Sequence, residues 1–82
     1  MEREELLKQL KVIFSDILDY PDLELTEKTQ ATDVDGWDSL NHIQLVVAIE
    51  KHFKFRFTSR EIQSWDNVGE MMDCILEKKR SL

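Results

Sequence analysis

Cysteine, proline and glycine are nearly missing from this 82-residue chain, which holds one, one and two of them. A lone Cys74 cannot form an intrachain disulfide, so a reducing compartment is expected and a disulfide-stapled secreted scaffold is excluded. Cys74, His42 and His52 lack the close spacing and the fourth ligand of a zinc site. Long apolar runs are missing too: nothing approaches a membrane span, and the first residues lack a signal-peptide stretch. A cytoplasmic location is the expectation. Basic charge is scarce, with 11 Lys and Arg against 17 Asp and Glu, a net charge of −6 and a pI near 4.8. That balance excludes the basic face a nucleic-acid binder needs and disfavours an anionic membrane surface.

What is present is the make-up of a small globular domain, 41% hydrophobic and 34% charged. Residues 1–82 read as one domain, too small to enclose a large active site. The acidity is local. Between Asp16 and Asp38 eight acids face one base, Lys28, whereas residues 39–82 hold six acids and seven bases. Such a protein is expected to meet basic partner surfaces.

Apolar spacing predicts helices. Leu6, Leu10, Ile13 and Ile17, widened by Leu7, Phe14 and Leu18, form the stripe of an amphipathic helix over residues 2–18. Pro21 stops it by forcing Tyr20 out of helical geometry. A loop of about 20 residues follows, with Leu23, Leu25, Ala31, Val34 and Trp37 as scattered anchors; a loop this long needs a role. Residues 39–53 repeat at helical spacing and are apolar on more than one side, which predicts a helix at the centre of a bundle. Thr58 and Glu61 read as the capping box of a short helix ending near Ser64. Asp66 is the expected cap of a last helix with core residues Val68, Met71, Met72, Ile75 and Leu76, among which Cys74 should be buried. The fold class is all-α: a small up-down four-helix bundle, three helices longer and one short, with a long loop between the first two.

The loop ends in Asp35-Gly36-Trp37-Asp38-Ser39-Leu40. Asp33-Val34-Asp35-Gly36 looks like a calcium-loop fragment, but that register puts Ala31 and His42 at ligand positions and fails. Asp38-Ser39-Leu40 opening a central helix after a long acidic loop resembles the acyl carrier protein family. The likeness extends through Ile43, Leu45, Val46, Ala48, Ile49, Glu50 and Phe53, the short third helix and the last helix, so it covers essentially the whole chain. It implies that Ser39 is the attachment point of phosphopantetheine, within a motif of Gly36, Trp37, Asp38 and Leu40. The arm's thiol would then carry acyl groups as thioesters between enzymes, in a fatty-acid, lipid or polyketide-type pathway. The expected partners are a phosphopantetheinyl transferase and acyl-transferring or acyl-activating enzymes, met by a monomer through Asp35, Asp38, Leu40, Ile43, Val47, Lys51, Phe57 and Ile62.

The residues agree with that reading. A serine at a helix N-terminus is exposed, and a phosphodiester there meets the positive end of the helix dipole. Asp35 and Asp38 oppose it unless a cation held by the modifying enzyme bridges them. Gly36 permits a sharp turn and close approach. His42 lies at i+3 from Ser39 without a carboxylate to orient it, so a self-activating hydrolase serine is not indicated. Ser39 is read as another enzyme's substrate. Ser39 as a mere helix cap, within an unmodified helical adaptor, is one alternative. A peptidyl carrier is the other, although Trp37-Asp38 replaces the Gly-rich approach usual there.

The sequence departs from the family along the second helix. Many members carry acids there; this chain has Asn41, His42, Gln44, Lys51 and His52, and residues 51–60 hold Lys51, Lys54, Arg56 and Arg60 with no acid. A partner surface acidic near Asp35 and Asp38 and basic toward Phe53 would select dedicated enzymes.

Overall fold

The computed structural model describes residues 2–81, and all regular structure among them is helical: α1 (Arg3–Leu18), α2 (Ser39–Phe53), α3 (Ser59–Ser64) and α4 (Val68–Ser81). Each boundary has a local cause. α1 ends where Asp19 turns left-handed at φ 53° and the Tyr20 N–H donates to Ser15 O at 3.0 Å, just before Pro21. α2 starts on the Asp38 carboxylate, which accepts from Asn41 N at 2.8 Å, and ends at Lys54, left-handed at φ 62°. Thr58 and Glu61 form the reciprocal capping box that the sequence indicates at the head of α3. At α4 the expected cap is off by one: Asn67, not Asp66, accepts from Glu70 N through Oδ1 at 2.9 Å. Either residue type caps, and backbone path selects between them.

α1 packs on α2 and α4. Leu6, Leu10 and Phe14 meet Leu45, Val46, Ile49 and Phe53 of α2, together with Val68, Met71, Met72 and Ile75 of α4. The breadth of apolar residues on α2 does not bury it on several sides. One stripe is core, whereas Leu40, Ile43 and Val47 on another face stay 68%, 53% and 41% exposed. Cys74 sits at the core margin, half-buried rather than enclosed. Its Sγ donates to Glu61 Oε2 at 3.5 Å, and a polar partner at the α3 side keeps it out of the apolar centre.

The long loop is part of the bundle. Leu23, Leu25 and Val34 are buried, and a 3₁₀ turn at Ala31–Asp33 breaks what the sequence leaves as unstructured chain. Glu27 O accepts from Gly69 N at 2.7 Å and Thr29 O from Val68 N at 2.9 Å, so the loop satisfies two of the orphan amides at the start of α4. A Cβ on Gly69 would stand 3.0 Å from Glu27 O, which is why glycine is needed there. Arg3 clamps the arrangement from outside, bonding Glu27 Oε1 at 2.5 Å and Asp73 Oδ1 at 2.6 Å. The hydrogen bond from Arg3, and then its charge, hold the Glu27 carboxyl below its ordinary value.

Candidate functional site at the head of α2

Everything that approaches Ser39 is held by its neighbours. Gly36 adopts φ 88°, a left-handed value for which glycine pays no Cβ penalty; nothing lies within 4 Å of a Cβ there, so conformation and not space demands it. Asn41 Nδ2 donates to Gly36 O at 2.5 Å and ties that turn to the first turn of α2. Ser39 is exposed at the first helical position. The capping duty that could have occupied its hydroxyl belongs to Asp38. The helix start is therefore satisfied independently of Ser39, which is left exposed and without a capping role.

A groove of about 730 Å³ opens beside Ser39 between α2 and α3; Trp37, His42, Ile43, Ser59, Ile62 and Trp65 are among its walls. Trp37 packs edge-on against Phe14, with ring centroids 4.9 Å apart, and so joins loop to core. Its Nε1 donates to His42 Nδ1 at 3.1 Å, and His42 Nε2 stands 3.3 Å from Ile62 O. An indole N–H can only donate, so Nδ1 accepts; Nε2 carries the proton and donates to the α3 carbonyl. Both imidazole nitrogens are thus engaged within the bundle, and neither serves Ser39 as a base. His42 is a strut between the loop and α3.

α3 is held from its other side. Glu61 Oε1 accepts from Lys78 Nζ at 2.8 Å and from Thr58 N at 2.8 Å. The Lys78 ammonium first, and the Thr58 amide second, hold the Glu61 carboxyl down at about 2. The same contact raises the Lys78 pKa. Burial, then the Glu61 charge, pushes the Cys74 thiol up to about 11, so it is almost wholly protonated at neutral pH.

The residues expected to face partners separate into two groups. Asp35, Asp38, Leu40, Ile43, Val47 and Lys51 are exposed along the loop end and one face of α2, and half-buried Ile62 lines the groove. Phe57 does not belong with them. It is buried, its ring 5.0 Å from Phe55 and 4.8 Å from Trp65, and alternation in residues 54–57 turns it inward. Sequence reasoning overlooked Asn41 and the clamping of His42. Asn41 at i+3 from the cap carried a readable signal; the Trp37–His42–Ile62 connection needs the fold to bring α3 alongside.

A family model described as "phosphopantetheine attachment site" matches residues 8–75. The acyl carrier protein of Thermotoga maritima is 31% identical over 77 residues, covering 94% of each chain. That of Coprothermobacter proteolyticus is 29% identical over 75 residues, covering 92% of each. Among solved structures, the holo acyl carrier protein of Geobacter metallireducens, determined by NMR, superposes with a TM-score of 0.82 at 40% identity, over 92% of this chain and 85% of that one. With the family match spanning most of the helical bundle, the chain belongs to the acyl carrier proteins, which work with a covalently attached phosphopantetheine.

Proposed function

We propose that Ser39 Oγ is the atom that carries the arm, and that residues 1–82 form one monomeric, cytoplasmic carrier domain serving a dedicated acyl pathway. The observation that carries this reading is the division of labour between Asp38 and Ser39: the first caps α2 and the second is left exposed beside the groove. When attached, the arm supplies a thiol that holds an acyl group as a thioester. The chain's own residues do the rest. Gly36 and Asn41 shape a tight turn that clears the approach to Ser39. The first turn of α2 directs backbone amides toward the phosphate position. The proton of the Ser39 hydroxyl passes to a group in the transferase, since His42 is committed to Trp37 and Ile62.

Leu40, Ile43 and Val47 form an apolar strip leading away from Ser39, with Asp35 and Asp38 at one end and Lys51 at the other. We assign it to partner docking, with Ile62 at the groove's edge. Apolar area in the strip supplies affinity, while the charges at its ends set orientation and encounter rate. The test is co-expression with a broad-specificity phosphopantetheinyl transferase and intact-mass measurement. The wild-type chain should gain one phosphopantetheine and Ser39→Ala none; an equal gain in the variant would remove Ser39 from the role.

A further inference from the structure

The far end of α2 holds a second recess, about 390 Å³, lined by Val47, Glu50, Lys51, Lys54, Phe55 and Arg56. Val47 and Phe55 are its apolar lining. Val47 is one helical turn from Lys51 on the same face. Phe55 is half-buried and stacks on Phe53, with centroids 5.9 Å apart and planes 10° from parallel. Its rim carries three cations against the single carboxylate of Glu50. That carboxylate accepts from Phe57 N at 2.8 Å, which draws it toward the backbone of the turn.

Dipole neutralisation accounts for Lys51 in the last turn of α2, but Lys54 and Arg56 lie beyond the helix. Lys54 is also the residue in left-handed backbone at φ 62°, where glycine is usual. Val47 also belongs to the exposed strip from Leu40, so the recess continues the surface that starts at Ser39.

We propose that this recess receives an acidic segment of a partner protein, one apolar side chain entering between Val47 and Phe55 while flanking carboxylates meet Lys51, Lys54 and Arg56. The partner's identity as an acyl-handling enzyme rests on the carrier reading; the recess chemistry does not. An enzyme lying along α2 then presents basic groups near Asp35 and Asp38 and acidic groups near Lys54. The two ends, of opposite sign, fix its direction along the helix.

The test uses the full, unmodified chain and backbone amide shifts in NMR, with two probes: a synthetic acidic peptide holding one central phenylalanine, and the same peptide with lysines in place of its acids. The acidic peptide should shift the amides of Val47, Lys51, Lys54 and Phe55 saturably, with affinity falling severalfold between about 0.05 and 0.2 M salt. Lys51→Glu with Arg56→Glu should abolish those shifts. Lys54→Gly relieves the backbone and so keeps the fold, yet should weaken binding at least about threefold. The proposal is overturned if the acidic peptide leaves these amides unmoved, if the lysine peptide moves them equally, or if the charge reversals change nothing. Sedimentation with phosphatidylserine vesicles in the absence of peptide-induced shifts would also overturn it, in favour of a lipid surface. Because no arm is present, failure here leaves the Ser39 assignment intact, and failure of that assignment shows only in the mass measurement.

Discussion

Two faces of α2 carry apolar residues and meet opposite fates. Leu45, Val46, Ile49 and Phe53 are sealed against α1 and α4, whereas Leu40, Ile43 and Val47 remain in solvent. Burial of the first set holds the bundle together; exposure of the second has a cost in hydration that folding alone does not offset. The difference teaches that breadth of an apolar stripe is not a measure of burial. On the docking reading proposed above, the surplus is kept for transient partners.

The sharpest way to break this contrast is to truncate one residue from each face. Ile49→Ala should destabilise the fold by roughly 2–5 kcal/mol, since it removes a fully enclosed side chain. Val47→Ala should cost less than about 1 kcal/mol while slowing acyl transfer with a cognate enzyme. Denaturant titration compares the two, and similar losses would erase the distinction between the faces.

The same contrast holds at the head of the helix between neighbouring residues. Asp38→Ala removes the cap and should cost about 1 kcal/mol, or roughly 4–8 °C in unfolding midpoint for a domain of this size. Ser39→Ala should leave the stability within about 0.5 kcal/mol of wild type, because Ser39 has no capping duty.

Away from α2, the α3 latch gives a signature in acid. Glu61 is depressed to about 2 in the fold against about 4.3 in an unfolded chain. Its contribution is therefore fully present above roughly pH 4.3 and is lost as pH falls toward about 2. Partial exposure limits the effect to about 1 kcal/mol or less. Glu61→Gln should flatten the stability–pH profile in that window. At pH 8 the Cys74 thiol, held at about 11, should react with a thiol reagent on the order of 100-fold more slowly than an arm thiol of ordinary pKa. Mass-resolved labelling of the modified protein reads both rates.

Much of the bundle was legible from one-dimensional pattern. The bounds of α2 and the Thr58–Glu61 box follow from capping chemistry and helical spacing, both local in sequence. The place of Asp38-Ser39-Leu40 at the head of α2 was legible because capping chemistry is local in sequence. What escaped is non-local. Gly69 is needed because Glu27 O approaches it across the loop, and the choice of Asn67 over Asp66 depends on how the chain enters α4. Phe57 escaped because alternation puts it on the same side as Phe55 without saying which side is inward; its contacts with Trp65 and Phe55 turn it to the core.

After enzymatic loading with phosphopantetheine, proteolysis and tandem mass spectrometry of the peptides that together span residues 38–64 tests the central claim most directly. The account predicts the whole added mass on Ser39. Finding it on Ser59 or Ser64, across the groove or nearby on α3, would contradict the account.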